Sequence, residues 1–169
     1  MLDNLQSELN KFAKAVVKQS RTRLTKSQKS VSKGLYNSIN SKVSISKNSF
    51  SIAFLMNEYG VYQDKGVSGT EKKYDTPFKY GSKMPPVKPL AEWAKKRNIR
   101  LRDAKGKFKK GNYNTIGFLI ARSIQKKGIK PSLFFTKPFE QAFKNLSKDV
   151  IRAFALDVEK LMDNSINNK

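Results

Sequence analysis

The sequence predicts an α+β fold in which a long N-terminal helix and C-terminal helices pack on a small antiparallel β-sheet, with a long irregular loop or arm. Apolar residues recur every three or four positions over residues 2–26, alternate over residues 43–54, and return to helical spacing in the last third of the chain. The chain has 169 residues, 38% of them hydrophobic, which is enough for one core. We expect one domain over residues 1–163 and a flexible tail at 164–169.

The first predicted helix covers residues 2–26, and its apolar stripe indicates a face packed on the domain or on a neighbouring copy of the chain. A helix lying on a membrane surface is the rival interpretation, and the early Asp3 and Glu8 count against it. The stripe consists of Leu2, Leu5, Leu9, Phe12, Ala13, Val16, Val17, Ser20 and Leu24.

A short helix over residues 33–39 is predicted to lead into a β-hairpin whose turn is formed by Lys47 and Asn48. A two-stranded hairpin is marginal alone, so we expect the N-terminal helix to cover it. The side chains that share its faces are Val43 and Ile45 on the first strand and Phe50, Ile52 and Phe54 on the second.

Residues 58–82 form the predicted loop or arm, which is rich in Gly, Tyr and charged residues and shows no clear periodicity. An irregular segment of this length is usually functional or an interaction arm. A third short strand is predicted to begin at residues 61–62.

The C-terminal part is predicted to contain a helix over residues 114–127 capped by Gly128, an apolar strand over 132–136, and a last helix opened by Pro138. The last helix carries an inward stripe formed by Phe139, Ala142, Phe143, Leu146, Val150, Ala153, Phe154, Asp157 and Leu161.

Composition excludes several classes of chemistry. The chain has no His and no Cys, which rules out disulfides, thiolate nucleophiles, Cys-based zinc sites and His-based triads. A magnesium-dependent nuclease would need clustered acids, and the loop offers Glu58, Asp64, Glu71 and Asp75, but their spacing matches no metal loop. We therefore expect no catalytic residues, no metal and no cofactor, and a protein that is not an enzyme.

The charge balance is strongly basic, with 35 Lys and Arg against 13 Asp and Glu, a formal charge of +22. This excess favours a polyanionic partner, while a solubilising Lys-rich surface is the plainer alternative. The N-terminus does not resemble a secretory signal and no apolar run reaches the roughly 20 residues that span a bilayer. We expect a soluble protein made in a cytosol, with no membrane partner.

The strongest local concentration of charge is a basic loop at residues 98–112, which follows a predicted helix that has Pro89 in its first turn and carries Trp93. Residues 95–110 hold nine basic residues and one acid, Asp103. Such a loop suits the phosphate backbone of DNA or an acidic protein ring, although a solvated loop is also possible. The candidate binding residues are Arg97, Arg100, Arg102, Lys105, Lys107, Lys109 and Lys110, and Phe108, Tyr113 and Tyr80 offer stacking surfaces.

Three segments resemble a known family, the neck or head–tail connector (tail-completion) proteins of tailed bacteriophages. The first, KGLYNSI at 33–39, is similar to a Gly-Leu-x-x-Ser-Ile element, and the second, YQDKGVSGT at 62–70, is similar to a Tyr-x-Glu-x-Gly-Thr element with Asp64 in place of Glu. The third, MPPVKPLAEWAKKRNI followed by ARSIQKKGIKPSLFFTKPF, resembles a Pro-Pro, Leu-x-x-Trp, Ala-Arg-x-Ile, Gly-Ile-x-Pro and aromatic-Pro pattern. The likeness covers roughly residues 5–160, and the basic loop is its main departure.

The resemblance implies a structural, non-catalytic α+β subunit of a virion, present in the neck and assembled in the cytoplasm of a bacterial host. Such subunits form rings, commonly sixfold or twelvefold, that join portal or adaptor proteins to tail proteins and surround the channel through which packaged double-stranded DNA leaves. We expect subunit contacts at Tyr59, Tyr62, Asp64 and Trp93. The alternative is a stand-alone, sequence-independent nucleic-acid-binding protein.

Overall fold

The computed structural model describes residues 2–26, 33–46, 49–109 and 111–167, and it confirms the predicted α+β class. Within these ranges the chain forms six helices and two antiparallel hairpins. In chain order they are α1 (Asp3–Lys26), α2 (Gly34–Ser38), β1 (Asn40–Ser46), β2 (Ser49–Leu55), α3 (Tyr59–Lys65), α4 (Val87–Lys96), β3 (Leu101–Arg102), β4 (Phe108–Lys109), α5 (Tyr113–Lys127) and α6 (Thr136–Asn167).

Contacts within the chain group its residues into two compact units. Unit 1 contains the residues up to Gly60 and those from Leu133 onward, and unit 2 is Val61–Ser132. Helix α3 therefore carries the chain from the first unit into the second, and the residues after α5 return it.

Unit 1 is built on α1, whose apolar face is buried as its spacing predicts. Leu9 and Val16 on α1 are fully buried and belong to one cluster with Leu146 of α6. The paired strands β1 and β2 bring Val43 opposite Ile52, and both side chains pack against the same cluster. The prediction that the N-terminal helix covers the hairpin is confirmed, and the expected turn residues Lys47 and Asn48 lie outside the described residues.

Aromatic side chains fill the space between α1, the hairpin and the start of α6. Phe12 meets Phe54 and Phe139 edge-on, with ring centres 6.2 and 5.9 Å apart, and Phe54 lies 5.3 Å from Phe135. Edge-to-face pairs of this kind contribute beyond the area they bury. The N-terminal helix, the hairpin and the C-terminal helix therefore share one core.

The apolar segment before α6 is not the strand predicted over residues 132–136. Leu133 has a positive φ of 50°, which a strand does not allow, and α6 already begins at Thr136. Phe134 is 1% exposed and joins a second small cluster with Leu24 and Leu35. The aromatic run is apolar because it enters this cluster, and a short apolar run does not distinguish a strand from other buried backbone.

A buried carboxylate of α6 holds the first turn of α1. Asp157, 2% exposed, accepts hydrogen bonds from the backbone N–H groups of Asn4 and Leu5 at 3.1 and 2.9 Å and from the Asn4 side-chain amide at 2.9 Å. The first N–H groups of a helix have no partner inside the helix, and a negative charge there also interacts favourably with the helix dipole. This contact explains the acid that interrupts the apolar stripe of α6.

The same contact sets the pKa of Asp157. Burial raises the pKa of this carboxyl, but the hydrogen bonds from Leu5 and Asn4 and the charge of Lys160 lower it by more, so the net pKa is below its ordinary value. The carboxylate is therefore charged throughout the neutral range.

Unit 2 is organised by the close packing of α4 on α5. Gly117 of α5 lies against α4, where an added Cβ would come within 2.8 Å of the carbonyl oxygen of Val87 and 2.9 Å of Ala91. Ala91 and Ala94 on α4 and Ile116 on α5 are buried. Small residues on both helices allow the axes to approach, and this fixes the base from which the basic loop extends.

The segment predicted as a loop or arm begins with helix α3 rather than with a strand at residues 61–62. Val61 and Tyr62 lie within this helix and are 40% and 45% exposed. Two residues are too few to establish the alternating pattern of a strand, and in the structure both belong to helix α3.

Residues 66–69 of the same segment are buried against the end of α5. Val67 and Ile129 exchange backbone hydrogen bonds of 2.9 and 2.8 Å, and Ser68 bridges to Lys79. A Cβ on Gly69 would collide with the carbonyl oxygen of Lys126, and one on Gly128 with that of Val67. Gly128 has φ of 71° and donates its N–H to Ile124, which confirms the predicted helix cap.

Helix α6 continues through Asn167, beyond the start of the tail predicted at 164–169. None of the helices in the described part of the chain is long and apolar enough to cross a membrane.

We predict that Asp157→Asn lowers the melting temperature at neutral pH by several degrees, because the α1 N–H groups lose a charged acceptor. A lowered folded-state pKa adds stability above the unfolded-state pKa, and this stability is lost as pH falls from about 4 through the folded-state value. The wild type should therefore lose stability on acidification more steeply than the variant in thermal unfolding measured by circular dichroism.

Asp163→Asn, at an exposed position of the same helix, is the matched control and should behave as the wild type. Parallel acid profiles for the Asp157→Asn variant and the wild type would contradict this role.

Candidate nucleic-acid interface

The basic loop of unit 2 folds as a short β-hairpin. Strands β3 and β4 pair antiparallel, with Leu101 opposite Lys109 and Arg102 opposite Phe108. Leu101 is half-buried and its side chain lies beside Gly111. The tip of this hairpin lies between Arg102 and Phe108, and the pairing places the basic side chains on a defined scaffold.

Asp103, the single acid in this stretch, forms the turn. Its Oδ1 accepts the N–H groups of Lys105 and Lys107 at 2.9 and 2.8 Å, and its own N–H donates to the Lys107 carbonyl at 2.9 Å. Gly106 supplies the positive φ of 79° that the turn requires. Since the carboxylate oxygen bonds to backbone, it organises the hairpin tip and brings two lysines to it.

An aromatic ring gathers two arginines on the hairpin. The Cζ atoms of Arg102 and Arg100 lie 4.4 and 5.7 Å from the centre of the Phe108 ring, which is 62% exposed. Arg102 also donates from Nη1 to the Gly106 carbonyl at 2.9 Å. A guanidinium held against an aromatic face retains its charge and its remaining donors, and such pairs also stack on nucleobases.

The hairpin leaves α4 through a tight helix end. Arg97 donates its N–H to the Trp93 carbonyl and Ile99 donates to that of Ala94, while Asn98 has a positive φ of 50°. The Arg97 guanidinium lies 5.8 Å from the Trp93 ring centre. Backbone bonds therefore fix the direction of the hairpin relative to the α4–α5 pair.

The predicted cations lie together on one exposed element. All six of those that the structure describes are exposed, and the seventh, Lys110, lies outside the described residues. The six are Arg97, Arg100, Arg102, Lys105, Lys107 and Lys109. Like charges at this density repel one another, and a bound polyanion would neutralise them. Its own counterions would be released on binding, which also favours the complex.

The four residues predicted for subunit contacts differ in accessibility. Tyr59, Tyr62 and Trp93 are 48%, 45% and 39% exposed, so each presents a ring surface. The Tyr62 ring also meets Phe78 edge-on at 4.7 Å. Asp64 is 5% exposed, so its side chain offers little surface to a neighbouring subunit.

Of the three aromatic residues considered for stacking, Phe108 is the exposed one. Tyr80 and Tyr113 are half-buried, and burial raises the pKa of the Tyr80 phenol. The role of Phe108 as the ring beneath two arginines was not predicted as such. The signal was present in the spacing, since a hairpin centred on 103–107 places Phe108 opposite Arg102.

The acids weighed for a nuclease do not converge. Asp64 is buried, while Glu71 is exposed and pairs with Lys126 at 2.6 Å. Among the described residues, no group of three or more acidic side chains is placed to hold a metal ion. The basic hairpin offers exposed cations, an aromatic surface and a fixed turn, and these features suit the binding of a partner.

Comparison with protein-family models, curated proteins and solved structures found no match to this chain.

We predict that neutralising the hairpin lysines with Lys105→Gln, Lys107→Gln and Lys109→Gln weakens binding to duplex DNA at low salt. The turn uses the backbone of these residues, so the fold should be retained. If all three contact phosphates, the slope of log K against log salt should fall by up to about 2.7, at 0.9 per contact.

Fluorescence anisotropy over a salt series measures this slope. A triple variant of exposed α6 lysines, Lys137→Gln, Lys144→Gln and Lys148→Gln, removes the same charge elsewhere. Equal slopes of log K against log salt for the two triple variants would show that the hairpin is not part of the DNA interface.

Proposed function

We propose that the protein is a structural subunit of a tailed-bacteriophage virion, forming a ring in the neck that joins portal or adaptor proteins to the tail and surrounds the DNA exit channel. The basic hairpin is the observation that carries this proposal. It offers exposed cations on a fixed turn, and its one acid bonds to the backbone that shapes the tip. Such an element suits the wall of a channel occupied by DNA.

The family-like segments coincide with positions that hold the fold, and this supports the resemblance. Leu35, from the first segment, is buried in the second cluster of unit 1. In the second segment, residues 66–69 are buried against the end of α5. The third supplies Ala91 and Ala94 to the α4–α5 contact.

Exposed aromatic side chains support assembly. Tyr59, Tyr62 and Trp93 retain large uncovered surfaces, and Tyr and Trp are enriched at protein–protein interfaces. A ring needs two different complementary surfaces on each subunit, so that contacts close after a fixed number of copies. On this proposal the chain acts without catalysis, and its localisation is the neck of the virion after assembly in the host cytoplasm.

A stand-alone nucleic-acid-binding protein is the second candidate, and Phe108 favours it. An exposed ring flanked by Arg100 and Arg102 resembles the stacking surfaces of proteins that bind single strands. This candidate requires tight binding by the isolated monomer at physiological salt. The neck proposal requires strong binding only after a ring has formed.

The proposal predicts that purified virions of the encoding phage contain this chain as a symmetric ring in the neck. Electron microscopy with rotational averaging, together with mass spectrometry of the particles, measures its presence and position. Absence of the chain from intact, DNA-filled particles would overturn the proposal.

The hairpin's part in the ring is tested in the same particles. Virions that carry the Lys105→Gln, Lys107→Gln and Lys109→Gln subunit should assemble but lose packaged DNA more readily than virions with the α6 triple variant. Unchanged DNA retention would leave the ring in place and remove the DNA-facing role of the hairpin.

A further inference from the structure

Unit 1 contains a basic groove that is separate in sequence from the hairpin. The groove encloses about 670 Å³ and lies along α1, with α2 and the start of β1 forming its other side. This volume falls within the range of about 300–1,000 Å³ typical of ligand sites. Its described lining residues are Lys14, Val17, Lys18, Arg21, Thr22, Thr25, Lys26, Tyr36, Asn40 and Ser41.

The charge of the groove has one sign among its described lining residues, which include four cations and no carboxylate. Lys14, Lys18 and Arg21 are four and three residues apart, so they share one face of α1. Like charges at this spacing repel one another and destabilise a helix. The three neighbouring cations therefore do not stabilise the folded chain, whereas they would favour the binding of an anionic ligand.

Arg21 is held in place at this groove. Its Nη2 donates to the Ile39 carbonyl at 2.8 Å, and its Cζ lies 5.2 Å from the centre of the Tyr36 ring. No carboxylate contacts it within the described residues. The guanidinium is thus oriented by neutral groups and keeps its full charge beside two exposed lysines, Lys14 and Lys18.

We propose that this groove binds the phosphate backbone of a nucleic-acid strand. The seven steps from Lys14 to Arg21 span about 10 Å along the helix at 1.5 Å per residue. A nucleic-acid strand laid along this face carries more than one phosphate over that distance, so its backbone can meet the cations of Lys14, Lys18 and Arg21. Tyr36, with Arg21 against its ring, adds a surface on which an exposed base can stack. The inference does not depend on the neck proposal, because it concerns any phosphate-bearing strand.

The test uses the full-length protein with Lys14→Gln and Lys18→Gln, two exposed positions whose side chains make no hydrogen bond described in the structure. The matched control is Lys144→Gln with Lys148→Gln on α6, which removes the same charge at the same spacing. Each variant is titrated with a labelled single-stranded oligodeoxynucleotide over a salt series. The groove variant should bind about tenfold more weakly at low salt, with a slope of log K against log salt reduced by about 1.4.

A labelling experiment on the wild type avoids any dependence on variant folding. Acetylation by an amine-reactive ester, mapped by mass spectrometry, should fall several-fold at Lys14 and Lys18 when the oligonucleotide is present and remain unchanged at Lys144 and Lys148. Equal slopes for the two double variants, or equal labelling with and without DNA, would overturn the proposal. Displacement of the DNA by a polyglutamate peptide of matched charge at equal concentration would overturn it too, since the groove would then suit an acidic protein.

Discussion

A shortage of carboxylates is the constraint on which the rest of this structure depends. With 35 cations and 13 acids, the chain has a formal charge of +22, so its carboxylates are too few to neutralise its cations. Two of the acids are, moreover, bonded to backbone: Asp157 holds the first turn of α1, and Asp103 shapes the tip of the basic hairpin. Such carboxylates stabilise local geometry and leave neighbouring cations to solvent or to a ligand.

Part of the unneutralised charge lies on two defined elements. In unit 2 it lies on a hairpin anchored by the α4–α5 contact and ordered by Phe108 and Asp103. In unit 1 it lies along α1, on the side of the helix that faces a groove rather than the apolar core. Both places combine cations with an aromatic ring, and this combination suits phosphate and nucleobase chemistry. A merely solubilising surface would not require fixed guanidinium groups.

The fold could be predicted where a pattern was long enough to establish a period. The α1 stripe, the hairpin alternation and the Gly128 cap are local signals, and the structure confirms them. Residues 61–62 and 132–136 were predicted wrongly as strands because short apolar runs carry no period.

Contacts between distant elements were beyond the sequence. Asp157 belongs to a helix that begins more than a hundred residues after the turn it caps. The groove is lined by lysines of α1, whose spacing is visible in the sequence, and by Tyr36 and Asn40, which the fold brings beside them. The cations of the hairpin were predictable because they lie close together in the sequence, whereas the burial of Asp64 depends on the folded chain.

The central proposal joins this chemistry to a ring, and native mass spectrometry of the full-length protein with duplex DNA at physiological salt tests it most directly. The account predicts a closed assembly of six or twelve chains that retains DNA. A monomer that binds DNA tightly under the same conditions would contradict it.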